Sequence, residues 1–147
     1  MMVGLPCSGK TTLAKSLERE LGAFRLTPDE WHRFLHGQDA AHPHHDIRHS
    51  KNEALQWNIA ASLLERGIDV ILDFGLWSRE ERDDFRSRAT VLGAATKLHF
   101  LDVPHDELLE RLETRNKQSP ADVTIIPKSL MKICFEKFET PCEAEMV

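Results

Sequence analysis

Nine residues near the start of the chain have the types and spacing needed to bind the phosphates of a nucleotide. They are Gly4, Leu5, Pro6, Cys7, Ser8, Gly9, Lys10, Thr11 and Thr12, and they fit the pattern Gly-x4-Gly-Lys-Ser/Thr. Glycines let the backbone curl around an anion, so that several N–H groups point inward. A lysine at this spacing reaches the β- and γ-phosphates, and the hydroxyl after it can ligate Mg²⁺. We therefore expect this phosphate loop (residues 4–12) to bind ATP or GTP.

Two acidic residues at strand ends could complete a site for phosphoryl transfer. Asp29 follows a short predicted strand, and a carboxylate there can accept the proton of an attacking hydroxyl. Asp73 ends the apolar run 70–72, as does the acid that helps hold Mg²⁺ in many nucleotide sites. Each also has a structural alternative, because Asp29 or Glu30 could simply favour a helix dipole and Asp73 could be a turn residue.

The residue after Asp73 bears on which reaction the site would favour. It is Phe74, where many hydrolysing ATPases have a glutamate that activates water. The sequence therefore favours phosphoryl transfer over vigorous hydrolysis.

Two arginines further along could stabilise the charge of the transferring phosphate. Arg111 and Arg115 are four residues apart, so they lie on one face of the predicted helix. They precede residues 116–126, which lack clear periodicity, and this combination suits a lid that closes over a triphosphate. The alternative is a solvated helix face on which the arginines pair with Glu110 and Glu113.

Histidines concentrate around a polar segment predicted to be a loop, residues 38–45. They are His42, His44, His45 and His49. Their spacing lacks nearby cysteines and matches no common zinc pattern, so a polar loop is favoured over a metal site. Imidazoles at this place could still contact an anionic acceptor.

Apolar periodicity and turn residues predict strands that alternate with helices. Strands are expected at residues 1–3, 23–26, 69–73 and 97–103, and helices at 10–21, from 27, and at 46–66, 78–93, 104–115 and 127–138. Such alternation indicates an α/β fold with a parallel sheet covered by helices on both faces. Ligands then gather at the carboxyl ends of the strands.

Side-chain patterns give two further expectations about the helices. The third helix should have one apolar face made by Ile47, Leu55, Ile59 and Leu63. Most of the arginines that interleave with acids between residues 79 and 88 should face water.

Composition limits the classes of partner. The 147 residues are expected to form one domain, 1–147, whose first strand is short enough to suggest truncation. A net charge of −5 disfavours a broad nucleic-acid interface, although a local basic groove stays open. Three cysteines without paired spacing indicate reduced thiols and a cytoplasmic location. No apolar run approaches the ~20 residues that cross a bilayer, so no membrane partner is expected.

With these pieces in order, the chain resembles the small P-loop kinases of the polynucleotide-kinase, zeta-toxin and chloramphenicol-phosphotransferase group. Close relatives are often labelled AAA-family ATP-binding proteins. The similarity is carried by the phosphate loop, by Leu-Thr-Pro-Asp-Glu-Trp at 26–31, by Val-Ile-Leu-Asp at 70–73, and by Leu-Asp-Val-Pro at 101–104 followed by residues 111–116.

The resemblance implies a three-layer P-loop NTPase fold with a small lid at about 111–127, and ATP and Mg²⁺ as cofactors. It implies that Asp29 is the catalytic base, that Thr11 and Asp73 hold the metal, and that Lys10, Arg111 and Arg115 bind ATP and stabilise the transferring phosphate. Polynucleotide kinases have an arginine three residues after the base, where this chain has His32. That departure disfavours a nucleic-acid acceptor.

The sequence thus predicts an ATP-dependent phosphotransferase acting on a hydroxyl of a small-molecule or nucleotide-type acceptor. The identity of the acceptor and the oligomeric state stay open. The alternative is a nucleotide-binding module or weak ATPase without a dedicated acceptor.

Overall fold

The computed structural model of the chain describes residues 1–38, 42–118 and 125–146. The strands are β1 Met2–Val3, β2 Phe24–Leu26, β3 Val70–Leu72 and β4 His99–Phe100. The helices are α1 Lys10–Leu21, α2 Pro28–His36, α3 His45–Leu64, α4 Arg79–Val91, α5 His105–Gln118 and α6 Lys128–Lys137, and a 3₁₀ turn spans Glu143–Glu145. Within the described residues, no helix is both long and apolar enough to cross a membrane.

All the strand pairs are parallel, as the alternation of strands and helices predicted. β1 pairs with β4, and β2 pairs with β3. A parallel bridge between Val3 and Gly75 joins the two pairs, which gives the spatial order β2, β3, β1, β4. The carboxyl ends of the strands therefore lie at one edge, where the phosphate loop follows β1, Asp29 follows β2 and Asp73 follows β3.

Helices cover both faces of the sheet because successive strand residues point to opposite sides. Ile71 packs with Ala14 of α1 on one face. Leu72 packs with Ala60 of α3 on the other face, where Phe85 of α4 joins the same cluster. The fold is thus a three-layer α/β arrangement, as the sequence predicted.

Two predicted boundaries need correction. The strand expected at 97–103 is only His99–Phe100. The segment expected to be irregular from Asn116 instead begins as helix, because α5 continues through Gln118. Lysine and glutamine are good helix formers, so they extend a helix without adding apolar periodicity. Residues 119–124, in the middle of the predicted lid, lie outside the described residues.

The apolar face predicted for α3 is buried only in part, since Ile59 packs against the cluster of Leu26, Ala60 and Leu72. Ile47 and Leu55 are more than half exposed, whereas Asn52 and Gln56 are buried. The reason is a polar contact with α2: the Asn52 amide donates to the carbonyl of Pro28 at 2.8 Å, and Gln56 donates to Asn52 at 3.0 Å. Buried polar groups are tolerated when they are hydrogen-bonded in this way.

One arginine of α4 departs from the prediction that most of them face water. Arg82 is fully buried, and its Nε lies 2.6 Å from Glu145 Oε2 in the 3₁₀ turn. Arg82 also donates to the carbonyls of Leu76 and Trp77, in the loop after β3. The arginine therefore holds the end of the chain against this loop.

Candidate functional site

The phosphate loop has a backbone that depends on glycine. Gly4 has φ +150°, and a Cβ there would lie 2.8 Å from Ser8 Oγ and 3.1 Å from the carbonyl oxygen of Leu101. Gly9 has φ +97° and immediately precedes α1. Cys7 also has a positive φ, +65°, although it carries a side chain. The loop is thus a tight turn in which glycine at positions 4 and 9 avoids the steric cost of a Cβ, whereas Cys7 bears that cost.

The start of α1 presents backbone donors and a cation to the same place. Gly9 is the N-cap and makes no side-chain cap, so the first amides of the helix have no side-chain acceptor among the described residues. Lys10 Nζ donates to the carbonyl of Leu5 at 2.8 Å. Burial lowers the pKa of Lys10, while the carboxylates of Asp73 and Asp29 act to raise it. Amides, helix dipole and ammonium together fit an anionic phosphate.

Thr11 and Asp73 provide a set of oxygen atoms suited to a hard cation. The hydroxyl of Thr11 hydrogen-bonds to the Asp73 carboxylate, which is only 6% exposed. Burial raises the pKa of Asp73, while Thr11, Arg25 and Lys10 act to lower it. Across the described residues no three His, Cys, Asp or Glu side chains could hold a metal by themselves. Mg²⁺ commonly takes one or two protein ligands together with phosphate oxygens and water, so two side chains would suffice for it.

Asp29 is the exposed acid of this site. It lies in the first turn of α2, and its carboxylate acts on the pKa values of both Lys10 and Asp73. Among the described residues, none forms a hydrogen bond or ion pair with it. Its neighbour Glu30 is instead engaged by Arg25 at 2.9 Å and by Lys15 at 3.4 Å. Of the two first-turn acids, Glu30 is thus ion-paired and Asp29 is exposed.

The two arginines of α5 both reach the phosphate loop. Arg111 Nη1 donates to the carbonyl of Cys7 at 3.3 Å, and Arg115 Nη1 lies 3.7 Å from Cys7 Sγ. Arg111 also pairs with Glu107 at 2.6 Å, and not with the predicted Glu110 or Glu113. The helix α5 is held there because its buried Leu108 and Leu112 pack in one cluster with Leu5 of the loop.

Histidines from two helices form a cluster beside Asp29. The ring of His32, in α2, lies 5.0 Å from His36, 4.6 Å from His45 and 5.7 Å from His49, measured between centroids. His49 pairs with Glu53 at 3.3 Å, and this hydrogen bond is the main reason that its pKa is raised. The sequence pattern pointed only to the histidines between residues 42 and 49. The i, i+4 spacing of His32 and His36 in α2 was a signal that these two also share a face.

Sequence reasoning also missed Arg25, which lies in β2 behind Asp73. Its side chain is 9% exposed and pairs with Asp73 at 3.3 Å. A charged residue inside a short strand, directly before its carboxyl end, was the available signal. Phe74, by contrast, packs its ring at 5.4 Å from that of Phe85 and serves the core.

A separate cavity of about 450 Å³ lies at the opposite edge of the sheet. It is lined at the amino ends of the strands, for example by Met1, Ala23, Asp69 and Lys97. No residue of the phosphate loop borders it, so size alone does not locate the chemistry of this chain.

Comparisons with known proteins give the family and the fold of the chain. The family model for the AAA domain AAA_33 matches residues 1–134. The chain is similar to a "putative kinase" from Chloroflexus aurantiacus J-10-fl, with a TM-score of 0.70, 20% identity, and coverage of 90% of this chain and 71% of that one.

A second similar structure is a chain of the Pnkp1/Rnl/Hen1 RNA repair complex, with a TM-score of 0.71 and 26% identity. The match covers 94% of this chain but only 45% of that chain, so the present sequence spans less than half of its length. No curated protein matches the sequence. The likeness in fold is to P-loop kinases.

Proposed function

The chain belongs to the AAA_33 family of AAA domains and is a small P-loop kinase-like protein, and from this premise we propose that it is an ATP-dependent kinase. It would transfer the γ-phosphate of ATP to a hydroxyl group of a small-molecule or nucleotide-type acceptor. The observation that carries the proposal is the meeting of Lys10, Asp73 and an available Asp29 at one edge of the sheet.

The donor half of the site follows from the phosphate loop. Its amides and Lys10 would bind the β- and γ-phosphates, and Arg111 and Arg115 would add positive charge from the other side of the loop. Thr11 and Asp73 would hold Mg²⁺, which supplies neutralisation of phosphate charge when it is bound. A short reach from α5 to the loop supports this assignment of the arginines.

The acceptor half rests on Asp29. Its carboxylate would take the proton of the acceptor hydroxyl as the hydroxyl oxygen forms a bond to the γ-phosphorus of ATP. The bond from the γ-phosphorus to the oxygen that bridges the β- and γ-phosphates breaks at the same time, and ADP leaves with that oxygen. Glu30 is unsuited to this role because Arg25 and Lys15 already engage it. Phe74 is a core residue with no group that could activate water, which supports transfer over hydrolysis.

The class of acceptor is the least constrained part of the proposal. The RNA repair likeness raises nucleic acid as a candidate, but the net charge of −5 and His32 at the third position after Asp29 favour a smaller acceptor. The free thiols of Cys7, Cys134 and Cys142 support a reducing, cytoplasmic setting.

The test compares two acids that occupy the first turns of different helices. Asp29→Asn should keep ATP affinity within about threefold and lose about 10²- to 10⁴-fold in transfer from γ-labelled ATP, because only the base is removed. Asp106→Asn, in the first turn of α5, is the matched control and should change neither quantity.

If Asp29 served only the helix dipole, the two variants would behave alike. That result would refute its role as base. An Asp29→Asn variant that has lost ATP affinity to the same extent as transfer would also contradict the separation into donor and acceptor halves.

A further inference from the structure

Arg25 connects three elements of the site through one guanidinium group. Its Nη1 lies 3.3 Å from Asp73 Oδ2, its Nη2 lies 2.9 Å from Glu30 Oε2, and its Nε lies 3.5 Å from Glu18 Oε2. The backbone N–H of Arg25 donates to Glu18 as well, at 3.3 Å. The Arg25 side chain is 9% exposed and that of Asp73 is 3% exposed, so this pair lies largely out of water, whereas Glu30 and Glu18 are partly exposed.

Each contacted element carries a proposed functional group. Glu18 belongs to α1, the helix that begins at Lys10 and Thr11. Glu30 is the neighbour of Asp29 in the first turn of α2. Asp73 is itself the proposed metal acid and receives a hydrogen bond from Thr11. The position of Arg25 is therefore shared by the donor half and the acceptor half of the site.

The geometry of the guanidinium suits this joining role better than another cation would. Its donors are fixed in one plane, so binding Asp73 with one terminal nitrogen and Glu30 with the other sets their separation. A lysine ammonium is a point charge on a flexible stem and does not impose that geometry. Without the guanidinium, the buried Asp73 carboxylate would lose its ion pair at 3.3 Å.

We infer that Arg25 is a positioning residue, which holds Asp73 against Thr11 and fixes the turn that carries Asp29. Its role in phosphoryl transfer rests on the proposed kinase function. It does not depend on Arg25 touching nucleotide or acceptor. Partners behind a metal-binding carboxylate commonly contribute 10- to 100-fold to metal affinity or activity.

Folding of the sheet does not require the guanidinium fork. β2 and β3 are paired through their backbones, and Leu26 and Leu72 pack in an apolar cluster with Ala60. Arg25→Lys keeps the buried positive charge, so it should fold and is the main variant. Arg25→Gln, which removes the charge, is the second variant.

The experiment measures ATP affinity by calorimetry in EDTA and again in excess Mg²⁺, for wild type and variants of the full chain. The ratio of the two dissociation constants gives the gain in affinity due to the metal. Arg25→Lys should keep its affinity in EDTA within about threefold and lose about tenfold of the Mg²⁺-dependent gain, and Arg25→Gln should lose at least as much. Circular dichroism and thermal unfolding establish that each variant is folded.

Glu18→Gln is the control, because it removes the outer carboxylate and leaves the contacts of Arg25 with Asp73 and Glu30 in place. It should retain the wild-type Mg²⁺ gain. A similar loss in Glu18→Gln would show that the cluster acts only as general structural support and would overturn the inference. A folded Arg25→Lys variant with an unchanged or larger Mg²⁺ gain would overturn it directly.

This result is separable from the kinase proposal. If the wild type binds Mg²⁺ and ATP but transfers phosphate to no acceptor, the kinase proposal fails, whereas the binding ratio still decides the role of Arg25. If transfer occurs, its kcat should fall in Arg25→Lys at saturating ATP and Mg²⁺, because the turn bearing Asp29 is also displaced. An unchanged kcat would contradict the second half of the inference.

Discussion

Replacement of Glu145 by glutamine should destabilise the whole domain by an amount that the structure allows us to work out. Arg82 is fully buried and Glu145 is 3% exposed, and the pair is bidentate, with distances of 2.6 Å and 3.2 Å. Glutamine keeps the shape but removes the negative charge, which leaves a buried guanidinium uncompensated. Breaking a buried pair in this way costs about 3 to 5 kcal/mol.

This cost converts into a large shift of the melting temperature. For a chain of 147 residues, an unfolding entropy of about 2.1 cal/mol/K per residue gives about 3 °C per kcal/mol, so the midpoint should fall by about 10 °C or more. Differential scanning calorimetry measures it. Glu143→Gln, on an exposed residue of the same 3₁₀ turn, is the control and should shift the midpoint by less than about 2 °C.

The loss of stability in Glu145→Gln should also depend on pH in a direction that can be tested separately. The hydrogen bond from Arg82 lowers the pKa of Glu145 from 4.5 to about 2. An acid whose pKa is lowered by folding stabilises the fold at pH values above its unfolded pKa. The difference in the free energy of unfolding between wild type and Glu145→Gln should therefore be constant from pH 6 to 8 and shrink as the pH falls from 4.5 towards 2. A loss below about 1 kcal/mol at pH 7 would refute the reasoning, because it would mean that Arg82 regains water when the turn detaches.

Three smaller predictions concern single contacts. Glu53→Gln should destabilise the fold by less than about 1 kcal/mol. The effect should be present below pH 6.5 and disappear as the pH rises through the raised pKa of His49. Urea unfolding midpoints at pH 5.5 and 8.5 would show this, and equal losses of stability at both pH values would contradict it. Because Cys7 has a φ of +65°, Cys7→Gly should be more stable than Cys7→Ala by about 1 kcal/mol in urea unfolding, and the reverse order would contradict the strain. Asn52→Ala should cost about 1 to 3 kcal/mol, because the carbonyl of Pro28 loses its buried donor, and a neutral effect would show that water replaces the amide.

The sequence predicted those parts of the fold that depend on local chemistry. The helix α1 has the predicted bounds, from Lys10 to Leu21. The helix α4 begins within one residue of its predicted start, because Ser78 and Glu81 form reciprocal hydrogen bonds there, as a capping box. Both are set by residues within a few positions of one another, where glycine, serine and glutamate have well-defined effects.

Long-range polar contacts were beyond the reach of periodicity. The buried amide of Asn52 donates to a carbonyl 24 residues away in the sequence. The buried guanidinium of Arg82 pairs with Glu145, which is 63 residues away. Nothing local distinguishes these side chains from solvated ones. Arg25 had a local signal, a charge inside a short strand, but its contact with Asp73 spans 48 residues and could not be read from that signal.

The candidate site shows the same division. The phosphate loop was readable as a contiguous motif, and the structure brings Asp29 and Asp73 to its edge as the strand-end rule predicted. The spacing of Arg111 and Arg115 left open whether they face water or the nucleotide. Their contacts with Cys7 depend on how α5 packs on Leu5, which is a tertiary property.

The fate of the γ-phosphate tests the central proposal most directly. Wild-type protein would be incubated with γ-labelled ATP, Mg²⁺ and a panel of hydroxyl-bearing small molecules and nucleotides, and the label would be followed into organic phosphate and into free phosphate. The account predicts an acceptor-dependent phosphoester that forms faster than free phosphate and is lost in Lys10→Ala. Label released only as free phosphate, at a rate that no acceptor changes, would contradict a kinase and favour a nucleotide-binding module or weak ATPase.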